Sequence, residues 1–340
     1  MPKIKTAILG YGRSGSTMHA GAVEHNSDLF EMTAVCDIDS TRREQAAERF
    51  GCAVYDDYHA MLADEELDLV CVVTRSDQHA EMTCDCLASG INVLVTKPWA
   101  VDAGEAERMV EAEKESGKLL LPWLPARWGA DLLRLKRLLS ENAIGNVFIV
   151  RRAVCSFGTR NDWQMRRKHG GGYLLNWGAH IVDPPVVLLD SPVTSVYGRM
   201  KQTINPGDAE DVFLAILNLE NGAVVQAEYT VAVEDLPSWY IQGDGGTIVI
   251  HGNNMTIHRT TPSMPDDPTK YKTMKSQDDR KDEETIDGAL YGDETAIYAE
   301  IASALGGEKE FPVKPDHALT LSRIFDAIRT SADENRVVSL

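Results

Sequence analysis

Short apolar runs alternate with amphipathic helical segments over the first third of the chain. The strands predicted from these runs span residues 4–9, 32–36, 53–55, 69–73, 92–95 and 119–121. The helices predicted between them span residues 15–24, 41–50, 79–89 and 102–116. Strands that alternate with helices in this way are typical of a doubly wound parallel sheet in an α/β protein.

After Pro122 the pattern changes to strands separated by tight turns. These predicted strands span residues 147–157, 193–200, 212–219, 224–231, 239–242 and 247–250. The predicted helices of this part span residues 131–140, 174–189, 294–305 and 318–332. Strands joined by tight turns favour an antiparallel sheet. We therefore expect two domains, residues 1–122 and residues 123–340.

Residues 260–287 interrupt the second pattern, because charged and polar residues and several prolines dominate this stretch. Such a composition offers little apolar surface to bury and disfavours regular structure. We expect an exposed loop here.

Composition and charge narrow the classes of function. The chain has 340 residues, of which 43% are hydrophobic and 25% are charged, as in soluble globular proteins. Its formal net charge of −18 would repel a phosphate backbone, so nucleic acid is not an expected partner. No apolar run approaches the ~20 residues of a membrane span, and residues 1–10 predict a strand and a turn rather than a signal peptide. We expect a cytoplasmic protein that has no membrane partner.

The cysteines are scattered along the chain, and several lie in apolar runs. They are Cys36, Cys52, Cys71, Cys84, Cys86 and Cys155. Small apolar-like thiols in such runs are usually buried and free, and their spacing does not match a metal site. We therefore expect free thiols and no bound metal.

A glycine-rich hexamer joins the first predicted strand to the first predicted helix. Its residues are Gly10, Tyr11, Gly12, Arg13, Ser14 and Gly15, which match the pattern G-x-G-x-x-G. In such a turn the first glycine permits the tight reversal, the second lets backbone approach a pyrophosphate, and the third lets helix and strand pack closely. The first amides of the helix then face the phosphates. The hexamer predicts a Rossmann domain that binds a dinucleotide.

Asp37 ends the second predicted strand, where a carboxylate of such a domain binds the adenosine ribose. Ile38 follows it and is included in the predicted cofactor site. A helix cap is the alternative role, but the residues that follow are better placed for capping. Because a carboxylate repels a 2′-phosphate, Asp37 favours NAD. Arg42 and Arg43 lie close enough downstream to leave NADP open.

Ligands of such sheets bind beyond the carboxyl ends of the strands. Thr74, Arg75 and His79 follow the fourth predicted strand, and Thr96 and Lys97 follow the fifth. The proline after Lys97 favours an extended lysine backbone, and the ammonium group can polarise a hydroxyl or carbonyl oxygen. A solvated surface lysine is the alternative. We assign all of these residues to the predicted cofactor site and Lys97 also to catalysis.

Three consecutive glycines open the predicted helix that carries Asn176, His180 and Asp183. Asn176 and His180 are four residues apart and therefore share a helical face, and Asp183 is close enough in sequence to approach the histidine. An imidazole titrates near neutral pH, which suits proton exchange with an alcohol. A core histidine bonded to backbone remains the alternative.

Together these segments resemble the Gfo/Idh/MocA family of oxidoreductases, which includes glucose–fructose oxidoreductase and inositol dehydrogenase. The resemblance covers nearly the whole chain, and its most specific parts are residues 10–15, Asp37, residues 74–79, Thr96-Lys97-Pro98 and the glycine-rich segment that ends in His180 and Asp183. It implies a Rossmann domain followed by an α/β domain with a large, open, predominantly antiparallel sheet. It also implies an NAD(P)-dependent enzyme that interconverts alcohol and carbonyl groups of sugars, cyclitols and related compounds.

The resemblance assigns catalysis to Lys97, His180 and Asn176, and it places Arg127 at an active-site position. The family's Glu-Lys-Pro motif keeps its lysine and proline here but has Thr96 in place of the glutamate. The aspartate that usually assists the histidine is Asn176. Its amide can hydrogen-bond the imidazole or a substrate hydroxyl, but it cannot carry the charge that stabilises imidazolium.

Basic residues concentrate between residues 151 and 169 of this acidic chain. They are Arg151, Arg152, Arg160, Arg166, Arg167 and Lys168. Trp163 and Gln164 lie in the same window, and ring faces and amides suit sugars while arginine suits carboxylates or phosphates. The predicted substrate-binding residues are Arg127, Arg160, Trp163, Asn176 and His180. A structural salt-bridge network is the alternative, and an anionic sugar is a candidate substrate.

Three functions are consistent with these residues. The first is hydride transfer between NAD(P) and a sugar, cyclitol or sugar-derived substrate. The second is an NAD-dependent glycosidase or lyase that oxidises its substrate transiently, and the third is a non-catalytic sensor that binds the dinucleotide. Because family members usually pair through the open sheet, the resemblance also implies a homodimer or homotetramer.

Overall fold

The computed structural model describes residues 2–264, 267–271, 273 and 276–340. The chain divides into two compact units. The first comprises the chain up to Pro125 together with Asn161–Ala179 and Gly292–Asp326. The second comprises Ala126–Arg160, His180–Tyr291 and Ala327–Leu340. Two segments from the later part of the chain therefore belong to the first unit, which a single boundary between residues 122 and 123 does not describe.

The first unit contains a six-stranded sheet in which every pairing is parallel. Its strands are β1 (Ile4–Leu9), β2 (Phe30–Cys36), β3 (Ala53–Tyr55), β4 (Leu69–Val72), β5 (Asn92–Val95) and β6 (Leu120–Pro122). They lie in the order β3-β2-β1-β4-β5-β6. The chain reverses direction across the sheet between β1 and β4, which is where ligands of doubly wound sheets bind. The predicted parallel sheet is confirmed.

Helices occur in both halves of the chain. They are α1 (Ala20–His25), α2 (Ser40–Phe50), α3 (Tyr58–Asp64), α4 (His79–Ala88), α5 (Ala103–Ser116), α6 (Ala130–Ser140), α7 (Tyr173–Ile181), α8 (Asp183–Leu189), α9 (Glu294–Leu305) and α10 (Pro315–Glu334). None of the described helices combines the length and apolar character that crossing a membrane requires.

Three helical predictions need correction. The helix predicted over residues 15–24 begins as a π-helical turn, Ser14–His19, before it continues as α1. The helix predicted over residues 174–189 is two helices, because Pro184 and Pro185 occupy the first turn of α8 and cannot donate to the preceding helix. Helix α3 was not predicted, since only one of its side chains is buried and its apolar face is correspondingly narrow.

The second unit contains a nine-stranded sheet. Its strands are β7 (Val147–Cys155), β8 (Val193–Lys201), β9 (Val212–Leu219), β10 (Val224–Thr230), β11 (Trp239–Gly243), β12 (Gly246–His251), β13 (Asn254–Pro262), β14 (Ser276–Thr285) and β15 (Val338–Ser339). They lie in the order β14-β13-β12-β11-β7-β10-β9-β8-β15. Strands β7 and β10 pair in parallel and the other pairs are antiparallel. The expected large, predominantly antiparallel sheet is confirmed.

The exposed loop predicted over residues 260–287 is wrong in part, because β14 pairs with β13 along this stretch. Residues 265, 266, 272, 274 and 275 of that prediction lie outside the described residues. Strand β14 is at the sheet edge and almost all of its side chains are exposed, so it lacks the alternating apolar residues that mark a half-buried strand. Charged edge strands resist pairing with other chains.

Candidate functional site

The glycine turn follows β1, as the sequence predicts. Gly10 has a φ of +91°, and a Cβ there would lie 2.7 Å from the carbonyl oxygen of Val73. A Cβ on Gly15 would lie 2.0 Å from the carbonyl oxygen of Gly10. The fold itself therefore requires glycine at these two positions.

Gly12 differs from the other two glycines of the turn. The nearest atom to a Cβ at this position would be Arg42 Nη1, at an ordinary contact distance of 3.7 Å. The packing of this chain therefore does not require glycine at position 12. Since packing does not explain the absence of a side chain at position 12, the glycine there fits the close approach of a pyrophosphate to the backbone. The helical turn that starts at Ser14 adds backbone amides that favour anions. The residues of the turn therefore fit a dinucleotide.

The π-helical turn behind the glycines ends in His19, which is buried. Its Nδ1 lies 2.8 Å from the hydroxyl of Tyr298, and its ring centroid lies 4.7 Å from that of Trp123. Burial lowers the pKa of His19 to about 3, so the imidazole is neutral at physiological pH. Helix α9 and the residue that follows β6 thus support the helical turn whose amides are predicted to face the phosphates.

Asp37 lies directly after β2 and is buried. Its carboxylate accepts hydrogen bonds from the backbone amides of Tyr11, at 2.7 Å, and Asp39, at 2.9 Å. Arg42 Nη1 lies 3.4 Å from the same carboxylate. Asp37 therefore ties the glycine turn to the loop after β2, while Ile38 projects into solvent with 88% of its surface exposed.

Two arginines follow Asp37 on α2 but point to different acceptors. Arg42 Nη1 lies 3.4 Å from the carboxylate of Asp37 and would lie 3.7 Å from a Cβ on Gly12. Arg43 Nη1 instead donates to the backbone carbonyl of Asp37 at 2.8 Å. Arg42 is thus the arginine at the edge of the predicted ribose site, and Arg43 supports the loop backbone.

The end of β4 carries a charged cluster that includes one predicted residue. Arg75 and His169 both contact the carboxylate of Asp77, at 3.2 Å from Arg75 Nε and 3.0 Å from His169 Nδ1. Burial tends to raise the pKa of Asp77, but the hydrogen bonds from His169 and Arg75 outweigh it, and the net shift is downward. Thr74 places its hydroxyl 3.4 Å from the sulfur of Met82. The cluster joins the turn after β4 to the segment before the three glycines.

His79 and Thr96, both predicted to contact the cofactor, form hydrogen bonds within the protein. The ring nitrogens of buried His79 lie 2.8 Å from the carbonyl oxygen of Pro98 and 3.1 Å from that of Thr74. Burial lowers the pKa of His79 although both carbonyls oppose this shift. The Thr96 hydroxyl donates to the carbonyl oxygen of Val72 at 3.1 Å. These side chains hold the ends of β4 and β5 together, and their contact with a cofactor remains a prediction.

Lys97 contacts Asn176, and the sequence predicts both residues to be catalytic. Lys97 Nζ donates to the backbone carbonyl of Asn176 at 2.8 Å and to its side-chain Oδ1 at 3.1 Å. The amide of Asn176 donates in turn to Gln164 Oε1 at 3.4 Å. The peptide bond between Lys97 and Pro98 is cis. The ammonium group is therefore held against α7 by one side chain and by the helix backbone.

The rest of α7 carries His180, one turn beyond Asn176. His180 is buried and its ring lies 5.1 Å from that of Tyr291 in a T-shaped arrangement. The carboxylate of Asp183 accepts two hydrogen bonds from Arg127, at 2.9 and 2.7 Å. The sequence suggested that Asp183 could approach His180. In the structure the Asp183 carboxylate forms a bidentate ion pair with Arg127. The predicted role of Arg127 in substrate binding remains a prediction.

The basic window between residues 151 and 169 is divided between the two compact units. Arg151 pairs with Glu228 at 2.8 Å, and Arg152 is buried with its guanidinium 4.9 Å from the ring of Trp239. These two arginines support the sheet, which agrees with the structural alternative. Arg160 donates its backbone amide to Asn205 Oδ1 at 2.6 Å, and Trp163 is half-buried in a 3-10 turn. Substrate contacts of Arg160 and Trp163 remain predictions.

Two residues of this region were not among the predicted site residues. Gln164 contacts Asn176, and Tyr291 contacts His180. A glutamine in a polar window and a tyrosine after a charged stretch carry no spacing signal, because their partners are distant in the sequence.

The cysteines, in contrast, are as expected, since all six are free.

Known proteins of similar sequence are dehydrogenases and oxidoreductases. The scyllo-inositol 2-dehydrogenase (NADP(+)) IolW of Bacillus subtilis is 27% identical over 99% of this chain and 96% of its own length. An inositol 2-dehydrogenase of Salmonella typhimurium is 28% identical over 43% of this chain and 44% of its own length.

Solved structures share the fold over nearly the whole chain. An NAD-binding protein from Listeria innocua has a TM-score of 0.84 at 27% identity and covers 99% of this chain and 97% of its own. The WlbA dehydrogenase of Chromobacterium violaceum, in complex with NADH and UDP-GlcNAcA, has a TM-score of 0.84 at 25% identity and covers 99% and 96%.

Two family models match successive parts of the chain. The oxidoreductase family with an NAD-binding Rossmann fold matches residues 4–122, and the GFO/IDH/MocA C-terminal domain matches residues 132–249. These matches cover the glycine turn, Asp37, Lys97, Asn176 and His180. The chain belongs to the GFO/IDH/MocA family of NAD(P)-dependent oxidoreductases.

Proposed function

We propose that this enzyme transfers a hydride between NAD(P) and a hydroxyl or carbonyl carbon of a sugar, a cyclitol or a sugar-derived substrate. The observation that carries the proposal is the contact of Lys97 with Asn176. The ammonium group of Lys97 is hydrogen-bonded to α7, the helix that also contains His180. The relatives that act on scyllo-inositol and inositol, and the structure that holds a nucleotide sugar acid, support this substrate class.

The roles of the residues follow from their chemistry. Lys97 holds the substrate oxygen, and its ammonium group stabilises the negative charge that develops there as the alcohol is oxidised. His180 takes the hydroxyl proton, which an imidazole can do near neutral pH. Asn176 is an orienting group, because an amide is not a base. Bound NAD(P) supplies the reversible two-electron oxidation of the carbon.

Asp37 supports NAD as the preferred cofactor, with NADP accepted less well. Its carboxylate lies at the edge of the glycine turn, where it would repel a 2′-phosphate. A substrate that carries a carboxylate or phosphate fits the predicted contacts of Arg160 and Trp163, since guanidinium groups bind such anions.

A substrate screen tests the proposed reaction. Polyols, inositols, aldoses and sugar acids are incubated with NAD and with NADP, and net formation of the reduced cofactor is followed by its absorbance. We expect net reduction with at least one free polyol or sugar. Turnover of a glycoside without net reduction would instead identify transient oxidation, and dinucleotide binding with no turnover at all would identify a sensor.

His180→Ala on a confirmed substrate tests the proton transfer. Loss of an acid–base group typically costs about 10²–10⁴-fold in rate, and we expect a fall in kcat of that order with dinucleotide affinity unchanged. Near wild-type kcat across the pH range would make His180 structural and would leave Lys97 to exchange the proton.

We also propose that the protein is a cytoplasmic homodimer or homotetramer that pairs through the nine-stranded sheet. In strand β7 the side chain of Ile149 is 37% accessible and lies on the face opposite to that of buried Val150, and burial of such an apolar side chain favours a symmetric interface. Light scattering at micromolar concentration should give the mass of a dimer or tetramer, and the mass of a monomer would contradict the proposal.

A further inference from the structure

Tyr291 contacts the proposed proton acceptor. The ring centroids of Tyr291 and His180 are 5.1 Å apart and their planes are inclined by 63°. His180 is 8% exposed, whereas Tyr291 is 38% exposed. Ring pairs of this distance and inclination prefer one relative orientation. Tyr291 can therefore restrict how the imidazole turns.

The segment before Tyr291 is fixed to the start of α6. The backbone amide of Ala130 donates to the carbonyl oxygen of Ala289 at 3.0 Å. A Cβ on Gly129 would lie only 2.4 Å from the carbonyl oxygen of Leu290, so only glycine lets the two backbones approach this closely. The position of Tyr291 is thus set by backbone packing rather than by its own side chain.

The segment after His180 is fixed to the residues just before α6. Arg127 binds both carboxylate oxygens of Asp183, which is three residues beyond His180. Both side chains of this pair are nearly buried, with 13% and 5% of their surfaces exposed, and a planar guanidinium holds a carboxylate in a defined geometry. Residues 127–130 therefore contact both the segment that follows His180 and the segment that precedes Tyr291.

We propose that Tyr291 is a positioning residue for His180, an inference that rests on the proposed function. Asn176, where relatives of the family carry an aspartate, contacts Lys97 and Gln164 through its side chain. The ring of Tyr291 supplies an orienting contact to the imidazole that does not depend on a charge. The ring rather than the hydroxyl carries this role.

Substitutions that separate ring from hydroxyl test the role. Tyr291→Leu should lower kcat about tenfold, the upper range expected for loss of an aromatic pair, with little change in dinucleotide affinity. Tyr291→Phe should retain near wild-type kcat. Tyr291→Met is a second variant without a ring, to be used if the leucine variant does not fold. Tyr271→Leu is the matched control, because Tyr271 is 98% exposed in the same unit.

A second readout does not need a substrate. In protein labelled at the histidine ring carbons, the NMR signal of the His180 imidazole, assigned with His180→Ala, should shift in the ring-free variants and stay near its wild-type position in Tyr291→Phe and Tyr271→Leu. An unmoved His180 signal in the ring-free variants overturns the positioning role, as does a phenylalanine variant as slow as leucine. If no compound in the screen is turned over, the proposed function fails while the NMR experiment still decides the contact.

Discussion

The glycine turn and the helix α7 differ in how far apart in the sequence their functional parts lie. The turn is complete within residues 10–15, and its internal contact joins Gly15 to Gly10. At α7, Lys97 reaches Asn176 across 79 positions of the sequence, and shortly before this helix His169 reaches Asp77 across 92. A motif made of neighbours keeps its role wherever the flanking strand and helix form, whereas a motif made of distant residues acquires its role only when the chain folds.

From this difference we expect departures from the family pattern to have unequal effects. The turn keeps every glycine, and two of them are required by close backbone contacts. At α7 the aspartate of the pattern is Asn176, yet Lys97 is still held because the helix backbone supplies a second acceptor. The backbone carbonyl of Asn176 accepts a hydrogen bond from Lys97 that a substitution of the side chain cannot remove.

Lys97→Ala should produce the largest change in activity and little change in dinucleotide affinity. Removing the ammonium group leaves the developing negative charge without its stabiliser, and we expect kcat to fall by about 10²–10⁴-fold. Dinucleotide affinity, measured by fluorescence titration, should remain within about threefold of wild type, a difference below 1 kcal/mol. Lys168→Ala is the control, since Lys168 is an exposed lysine of the same unit. Equal loss of activity in both variants would contradict a specific role for Lys97.

Gly12→Ala should weaken dinucleotide binding at least about tenfold, which corresponds to about 1.4 kcal/mol, because the methyl group occupies space that the pyrophosphate approaches. Its melting temperature should stay close to that of wild type, since the nearest neighbour of the new methyl group is 3.7 Å away. Gly15→Ala is the matched comparison and should lower the melting temperature markedly, because its methyl group would overlap a carbonyl oxygen. Normal affinity in Gly12→Ala would contradict binding at this turn.

Arg42→Ala should weaken NADP binding about tenfold and leave NAD binding nearly unchanged. A guanidinium next to the ribose site attracts a 2′-phosphate, and such a charged hydrogen bond contributes about 1.5–3 kcal/mol, reduced here because the arginine is half exposed. Arg43→Ala removes the same charge one residue along and should change the two affinities equally, because Arg43 supports the backbone of Asp37. Selective loss of NADP in Arg43→Ala instead would show that the assignment to Arg42 is wrong.

His19→Gln should alter how stability depends on pH. The pKa of His19 is lowered to about 3 in the folded state from an ordinary 6.5, so the unfolded chain takes up the proton first as the pH falls. His19 should therefore make the wild-type protein lose stability as the pH falls from 6.5 towards 3, by roughly 1 kcal/mol for each pH unit, and should contribute nothing above 6.5. Denaturant unfolding should show a shallower decline for His19→Gln, and the same slope as wild type for His59→Gln, whose histidine is exposed. Parallel slopes for wild type and His19→Gln would refute the buried neutral histidine.

The sequence predicted much of the first unit because its signals are local. Alternating apolar runs and helical segments marked all six parallel strands, and glycine spacing marked the turn. It missed β14, since an edge strand exposed on both faces has no apolar alternation. It also missed the break between α7 and α8, because the apolar pattern continues through the two prolines.

The candidate site was predictable as a set of residues but not as a set of contacts. Lys97 and Asn176 were assigned to one site from a strand end and from a helix behind three glycines, and the fold brings them into contact, while their catalytic roles remain predictions. The partner of Asp183 was not predicted, since the sequence suggested only that its carboxylate could approach His180, whereas the fold pairs it with Arg127. Tyr291 gave no signal that distinguishes it from other aromatic residues, and Gln164 was noted as an amide that suits a sugar but not as a partner of Asn176.

The turn, the alternation of strands and helices, and the residue types available for chemistry follow from the amino-acid sequence alone. Local periodicity and the backbone needs of glycine depend on neighbours along the chain, so they can be recognised without the fold. The fold, in contrast, ties Asp37 to Tyr11 and Arg42, joins two strand ends through His79, and brings residues 127–130 against both Asp183 and the segment of Tyr291. Those choices depend on which distant segments meet, and the free energy that settles them comes from packing and burial, which no local pattern contains.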